Sequence, residues 1–404
     1  MSRPEPRALV RRFTFVLLAL AAPIAAVPLA AQAPELRHHE GLGSLTFPTS
    51  GAPAAQPDFE RGVLLMHSFE YEEAAAAFRA AQEKDPDFAM AYWGEAMSHN
   101  HPVWNEQDRD AALAVLARYG PTPMARAERA PTARERMYLE AVDVLYGDGA
   151  KPVRDTLYAR AMEALAATHP EDFEARAFFA LSILGLSQGS RDVPGYMRAG
   201  AVALDLFGAN PGHPGAAHYV IHSFDDPTHA PLGLEAARAY ASVAPDAAHA
   251  QHMTTHIFLA LGMWDELVQA NERADGVVDR NRGERGLPPT DCGHYNEWLA
   301  YGYQQQGRNA DSGALVAGCL DQAAEQPGRS ASATGMRALH LASTEDFDGV
   351  VAGREVDTSP LTGEDRSTVL LVQHWASGFA AAGRGDAADA RPDEVFLRTT
   401  PGGS

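Results

Sequence analysis

The stretch from Ala217 to Phe224 reads AHYVIHSF, and the stretch from Gln251 to Phe258 reads QHMTTHIF. His218, His222 and Phe224 thus return 34 residues later as His252, His256 and Phe258. An i, i+4 pair of imidazoles lies on one helical face with Cβ atoms about 6 Å apart, a workable clamp for a transition metal. His249 precedes the second pair and His294 follows it in the next helical segment, so six histidines are candidate ligands. Imidazole with at most one carboxylate suits copper or zinc, and six imidazoles from packed helices suit a paired copper centre. Neither pair reads H-E-x-x-H, because Tyr219 and Met253 stand at the Glu position, which argues against a zinc protease of that class. The plainer alternative is duplication: a repeat inherits its histidines, and each serves as a half-buried hydrogen-bonding residue.

These side chains need helices to carry them, and the chain reads as helical from Pro57 onward. Almost no segment alternates at period two, so strands are not expected. The clearest unit runs from Phe59 to Pro86, with Gly62, Ala74, Phe78, Ala81 and Pro86 at the small, small, aromatic, small and proline positions of a 34-residue helix-turn-helix repeat. Small residues let two helices approach, Phe78 plugs the gap to the next helix and Pro86 stops the second one. Thr132 with Glu135 reads as a capping box opening a helix, and His169-Pro170 as the stop of its partner. Further pairs follow to about residue 390. The expectation is an all-α solenoid of roughly eight or nine hairpins over residues 58–390, with a tail at 391–404.

Blocks such as DPDFAMAYWGEAM (Asp85–Met97), HPGAAHYVIH (His213–His222), HAQHMTTHIF (His249–Phe258) and HYNEWL (His294–Leu299) resemble those of bacterial exported tetratricopeptide-repeat proteins with a His-rich central region. The resemblance covers residues 57–325 and implies an architecture, with no secure reaction. In this class of repeat the first helix of each hairpin lines a concave groove, and its positions 2, 5 and 9 point inward. His249, His252 and His256 take those three positions. His218 and His222 match positions 5 and 9 one repeat earlier, and His294, Glu297 and Tyr301 take 2, 5 and 9 one repeat later.

The candidate metal set is therefore His218, His222, His249, His252, His256 and His294. Glu297, Tyr301 and Asp225 are candidates for orienting an imidazole or lining the groove, and His67 and His101 for reaching its far end. Three functions fit: a metal-binding protein that also holds a peptide or small molecule, a metal-dependent enzyme of copper redox or zinc hydrolytic type, and a metal-free scaffold holding a peptide or protein partner.

The N-terminus reads as an export signal over residues 1–33: Arg11-Arg12, then an apolar run from Phe13, then small residues to Ala33. Residues 34–57, rich in Pro, Gly and Ala, read as a linker. The expected location is periplasmic or secreted, with no membrane span once the signal is removed. A net charge of −20 would repel nucleic acid and anionic lipid. The two lysines, Lys84 and Lys151, lie outside any G-K-[ST] context, so no nucleotide cofactor is expected. Cys292 and Cys319 fall at neighbouring ends of one hairpin, where a disulfide is geometrically reasonable; the competing reading makes Cys292 a soft ligand beside His294.

Overall fold

The computed structural model of the protein describes residues 37–187 and 191–390; the expected export signal and tail lie outside the described residues. Helices pair along the chain as α1 (Gln56–His67) with α2 (Tyr71–Lys84), then α3 (Ala89–Met97) with α4 (Arg109–Tyr119). The short α5 (Pro123–Arg129) leads into α6 (Ala133–Leu145) with α7 (Lys151–Thr168), then α8 (Phe173–Leu184) with α9 (Val193–Ala209). Next come α10 (Pro214–Phe224) with α11 (Ala230–Val243), α12 (Ala248–Ala260) with α13 (Trp264–Glu284), and α14 (His294–Gln305) with α15 (Asn309–Glu325). The last pair is α16 (Ser330–Thr344) with α17 (Gly363–Gly383). Consecutive helices pack on each other, and α8, α10 and α12, the first helices of successive hairpins and here called the inner helices, also pack in series. This is the all-α hairpin solenoid that the helical periodicity requires.

Local chemistry sets the boundaries. The α2 C-cap is Asp85, directly before Pro86. Thr132 accepts from the Glu135 N–H and starts α6. The Glu135 carboxylate, however, is turned to Ser50, accepting its backbone N–H at 2.7 Å and its hydroxyl. Phe78 is fully buried, and a Cβ added at Gly94 would lie 2.3 Å from its ring. The glycine is what lets α3 close on α2.

Residues 37–57 are not a linker. β1 (Arg37–His39) and β2 (Gly43–Leu45) form an antiparallel hairpin. Its backbone bonds to the α9–α10 and α11–α12 turns, Ser44 N–H to Gly212 C=O at 2.9 Å and Asp246 N–H to Gly41 C=O at 3.1 Å. Phe47 is buried against Phe59, Trp93 and Tyr138. A second small ribbon, β3 (Asn100–His101) with β4 (Glu106–Gln107), interrupts the α3–α4 connection.

The large core runs from Leu42 to Leu299, and a smaller one under α15 to α17 contains Cys292 and Cys319. Those two cysteines are disulfide-bonded, with Cα atoms 4.8 Å apart, so Cys292 is not a metal ligand. The bridge spans 27 residues. In the chain-entropy account a loop of that size contributes about 3.5 kcal/mol. Cys292→Ser with Cys319→Ser should lower the unfolding free energy of the C-terminal hairpins by that order, read from denaturant titration; an unchanged midpoint and slope would contradict it.

One feature departs from an open solenoid. α1 packs directly against α10. Gly215 makes room for it, since a Cβ there would sit 2.4 Å from the His67 ring. The α1–α2 turn, Ser68 to Glu70, is thereby laid over the histidine-bearing helices.

Candidate metal centre

The six histidines converge, but as two groups. His218 and His222 of α10 join His249 of α12, and His252 and His256 of α12 join His294 of α14. In each group the ligand nitrogens lie within 4.8 Å of one another. Ligands of a tetrahedral ion with bonds of about 2.0–2.1 Å sit about 3.3 Å apart, so small side-chain rotations would close either set. Both groups follow one recipe: an i, i+4 pair from one inner helix and the histidine near the start of the next. His218, His222 and His249 are repeat-equivalents of His252, His256 and His294.

Burial and hydrogen bonding prepare the rings. The Nε2 atoms of His218, His222, His249 and His252 are buried and have no hydrogen-bond partner among the described residues. The opposite nitrogen is tied down in three of the six. His218 Nδ1–H donates to the His67 carbonyl at 2.6 Å, which as a pure acceptor requires the proton on Nδ1. His252 Nδ1 meets Asn271 Oδ1 at 2.8 Å, and His256 Nδ1 meets Asp225 Oδ2 at 2.6 Å. A ligating imidazole is oriented in this way, by an acceptor behind it. Burial, the largest cause, pushes His218 down to about 3 and His222, His249 and His252 well below the ordinary imidazole value. His294, the most exposed of the six, is lowered by the partial burial of its ring and then by neighbouring His256. These rings are neutral at pH 7 and their lone pairs are free.

Aromatic side chains wall both groups. Phe69 lies against the first, with ring centroids 4.2 Å from His218, 5.6 Å from His222 and 5.2 Å from His249. Trp104 stands edge-on to His249, and Trp298 stacks on His256 at 4.5 Å.

A third cluster, His67, Glu174 and His213, is fully buried behind the first. Glu174 accepts from His67 Nε2 at 2.7 Å and from His213 Nε2 at 2.9 Å. His213 Nδ1 accepts from the Ala216 N–H, and Tyr219 O–H lies 2.7 Å from His67 Nδ1. Burial lowers His67, so it is neutral and takes the tyrosine proton as acceptor. Burial pushes the Glu174 carboxyl up, but His213 and His67 against it outweigh that and hold it at about 2. Every nitrogen here is already engaged, so the cluster supports the first group from behind and offers it no ligand.

The remaining expected residues divide. Asp225 sits behind His256, and His67 meets His218 through its carbonyl and Glu174 through its ring. Glu297 and Tyr301 are not at the histidines. α14 is rotated so that Tyr295 and Trp298 face α12, while Glu297 accepts from Ser332 of α16 at 2.6 Å and Tyr301 meets Trp264. His101 lies on β3, stacked on Tyr71 at 4.0 Å, and lines a cleft of about 1110 Å³ with Glu72, Arg79 and Asp108. Sequence reasoning missed Glu174, His213, Asn271 and Phe69. Glu174 had a signal: it is the second residue of its inner helix, as His249 is of α12.

No family model matches the chain, and no curated protein does. Among solved structures it is similar to YrrB, titled a TPR protein with an unusual peptide-binding site (18% identity, 49% of this chain and 90% of that one, TM-score 0.25). It is also similar to the human IFIT1 dimer with PPP-AAAA (12% identity, 85% and 72%, TM-score 0.39) and to the P58(IPK) TPR domain (13% identity, 86% and 93%, TM-score 0.21). Likeness at these scores says nothing of what this chain binds. No helix among the described residues is long and apolar enough to cross a membrane.

Proposed function

We propose that the chain is a metal-binding protein that holds two transition-metal ions, one in each three-histidine group. Four buried, unpartnered Nε2 atoms carry this assignment. Each such atom left unpaired costs about 1–3 kcal/mol, and a metal ion is the partner their convergence suits. An all-imidazole donor set favours copper or zinc. The acceptors behind His218, His252 and His256 support the same assignment, because they hold each ring with its Nε2 lone pair forward.

The scaffold alternative has less support. A partner peptide laid across α10 and α12 would have to displace the Ser68–Glu70 turn, which is packed on His218, His222 and His249. Export belongs to the same proposal: the charged-then-apolar N-terminal sequence and the Cys292–Cys319 bridge both suit an oxidising compartment.

Stoichiometry tests the two-site assignment. Metal-free chain titrated with copper or zinc against a competing chelator should bind two ions. His222→Ala should bind one, His256→Ala one, and the double variant none, with helical content unchanged in all three. Two ions retained by the double variant would show that the ligand set is wrong.

A further inference from the structure

The two histidine groups share a pattern but not an environment. In the first, His218, His222 and His249 are 0%, 8% and 6% exposed. Phe69 lies over all three rings and is itself buried. It is held there in the left-handed region, at φ 57°, a conformation that a bulky residue adopts only at a cost. Its neighbours are pinned. Ser68 Oγ accepts from the Tyr240 hydroxyl at 3.3 Å, and Glu70 accepts from the His249 N–H at 3.1 Å. A phenyl ring offers no donor atom to a metal, and under it the three histidines keep at most 8% of their surface exposed.

In the second group His252 is buried, His256 half-buried and His294 exposed. Trp298 borders all three rings but is only half-buried itself. Among the described residues, no element seals this side in the way that the Ser68–Glu70 turn seals the first. Three imidazoles leave a metal ion at least one further coordination position, and a site of catalytic type keeps that position open. The three imidazoles are neutral ligands and the Asp225 carboxylate behind His256 offsets only part of a divalent ion's charge, so the site still attracts an anion.

Resting on the metal assignment above, the geometry points to a division of roles. The ion on His252, His256 and His294 takes a small anion from solvent as an additional ligand, whereas Phe69 closes the ion on His218, His222 and His249 to any exogenous ligand. The first ion is then a fixed part of the fold, and ligand chemistry belongs to the second.

Azide binding to the copper(II)-loaded full chain tests this, with copper measured on the same samples. The azide-to-copper absorption band should saturate at one azide per two coppers. His222→Ala, which keeps only the second site, should bind one azide per copper, and His256→Ala, which keeps only the first, should bind none. Phe69→Gly suits the backbone there and should admit a second azide. Absence of bound copper would sink the metal assignment and this inference with it. Two bound coppers with azide at both, at neither, or at the first alone would overturn the division of roles and leave the metal sites standing.

Discussion

Glu174→Ala should destabilise the metal-free chain by about 2–6 kcal/mol, because it strips the acceptor from two buried imidazole N–H groups at about 1–3 kcal/mol each. Both bonds are short and fully enclosed, and neither His67 nor His213 has a water-exposed alternative. Glu174→Gln should recover only part of the loss: its carbonyl can accept from one imidazole, while its amide N–H₂ confronts the other. The effect should reach the first metal group, since His67 is the residue whose carbonyl orients His218. Loss of such support typically weakens metal binding by about 10–100-fold. The second group should be unaffected. Urea denaturation and a metal titration of both variants measure this; a loss below about 1 kcal/mol would show that the cluster is not a support.

Acid should unfold the metal-free chain from an unusually high pH. His67, His218, His222, His249 and His252 all have folded values lowered by burial. Their neutral forms are retained in the fold, while the unfolded chain takes up protons once pH falls below about 6.5. Their contribution is therefore complete above that value and declines below it, by up to about tenfold in the folded-to-unfolded ratio per histidine per pH unit. Glu174 acts in a lower window. Its folded value of about 2 lies below the ordinary carboxylate range, so its contribution holds above about 4.5 and is lost only as pH falls toward 2. Burial raises the Glu70 carboxyl to about 7, which offsets one of these five histidines as pH falls, so denaturant midpoints measured from pH 8 to pH 4 should stay nearly level to about 6.5 and then fall. A level midpoint down to pH 4.5 would mean that the histidines are not buried neutral in solution.

Much of this was legible in local sequence. Proline and Thr capping signals placed the ends of α2 and α6, helical period put His218 with His222 and His252 with His256 on shared helix faces, and the resemblance to tetratricopeptide repeats implied that those faces, with His249 and His294, turn toward one another. The split into two groups follows from the same register, because the histidine near the start of each inner helix faces the pair on the helix before it. What escaped depends on contacts between distant parts of the chain. Phe69 reaches His218 and His249 only because α1 folds back onto α10, which no local pattern encodes. The β1–β2 hairpin owes its place to the backbone of Gly212 and Asp246, so a Pro, Gly and Ala-rich composition read as linker. Glu297 and Tyr301 shared a nominal face with His294, but the rotation of α14 is set by packing of Trp298 on α12 and of Ser332 against Glu297.

Elemental analysis of the full chain, purified after equilibration with copper and zinc and then freed of loose metal, tests the central claim most directly. Two tightly held ions per chain are the expected result. A folded chain that retains neither metal would contradict it.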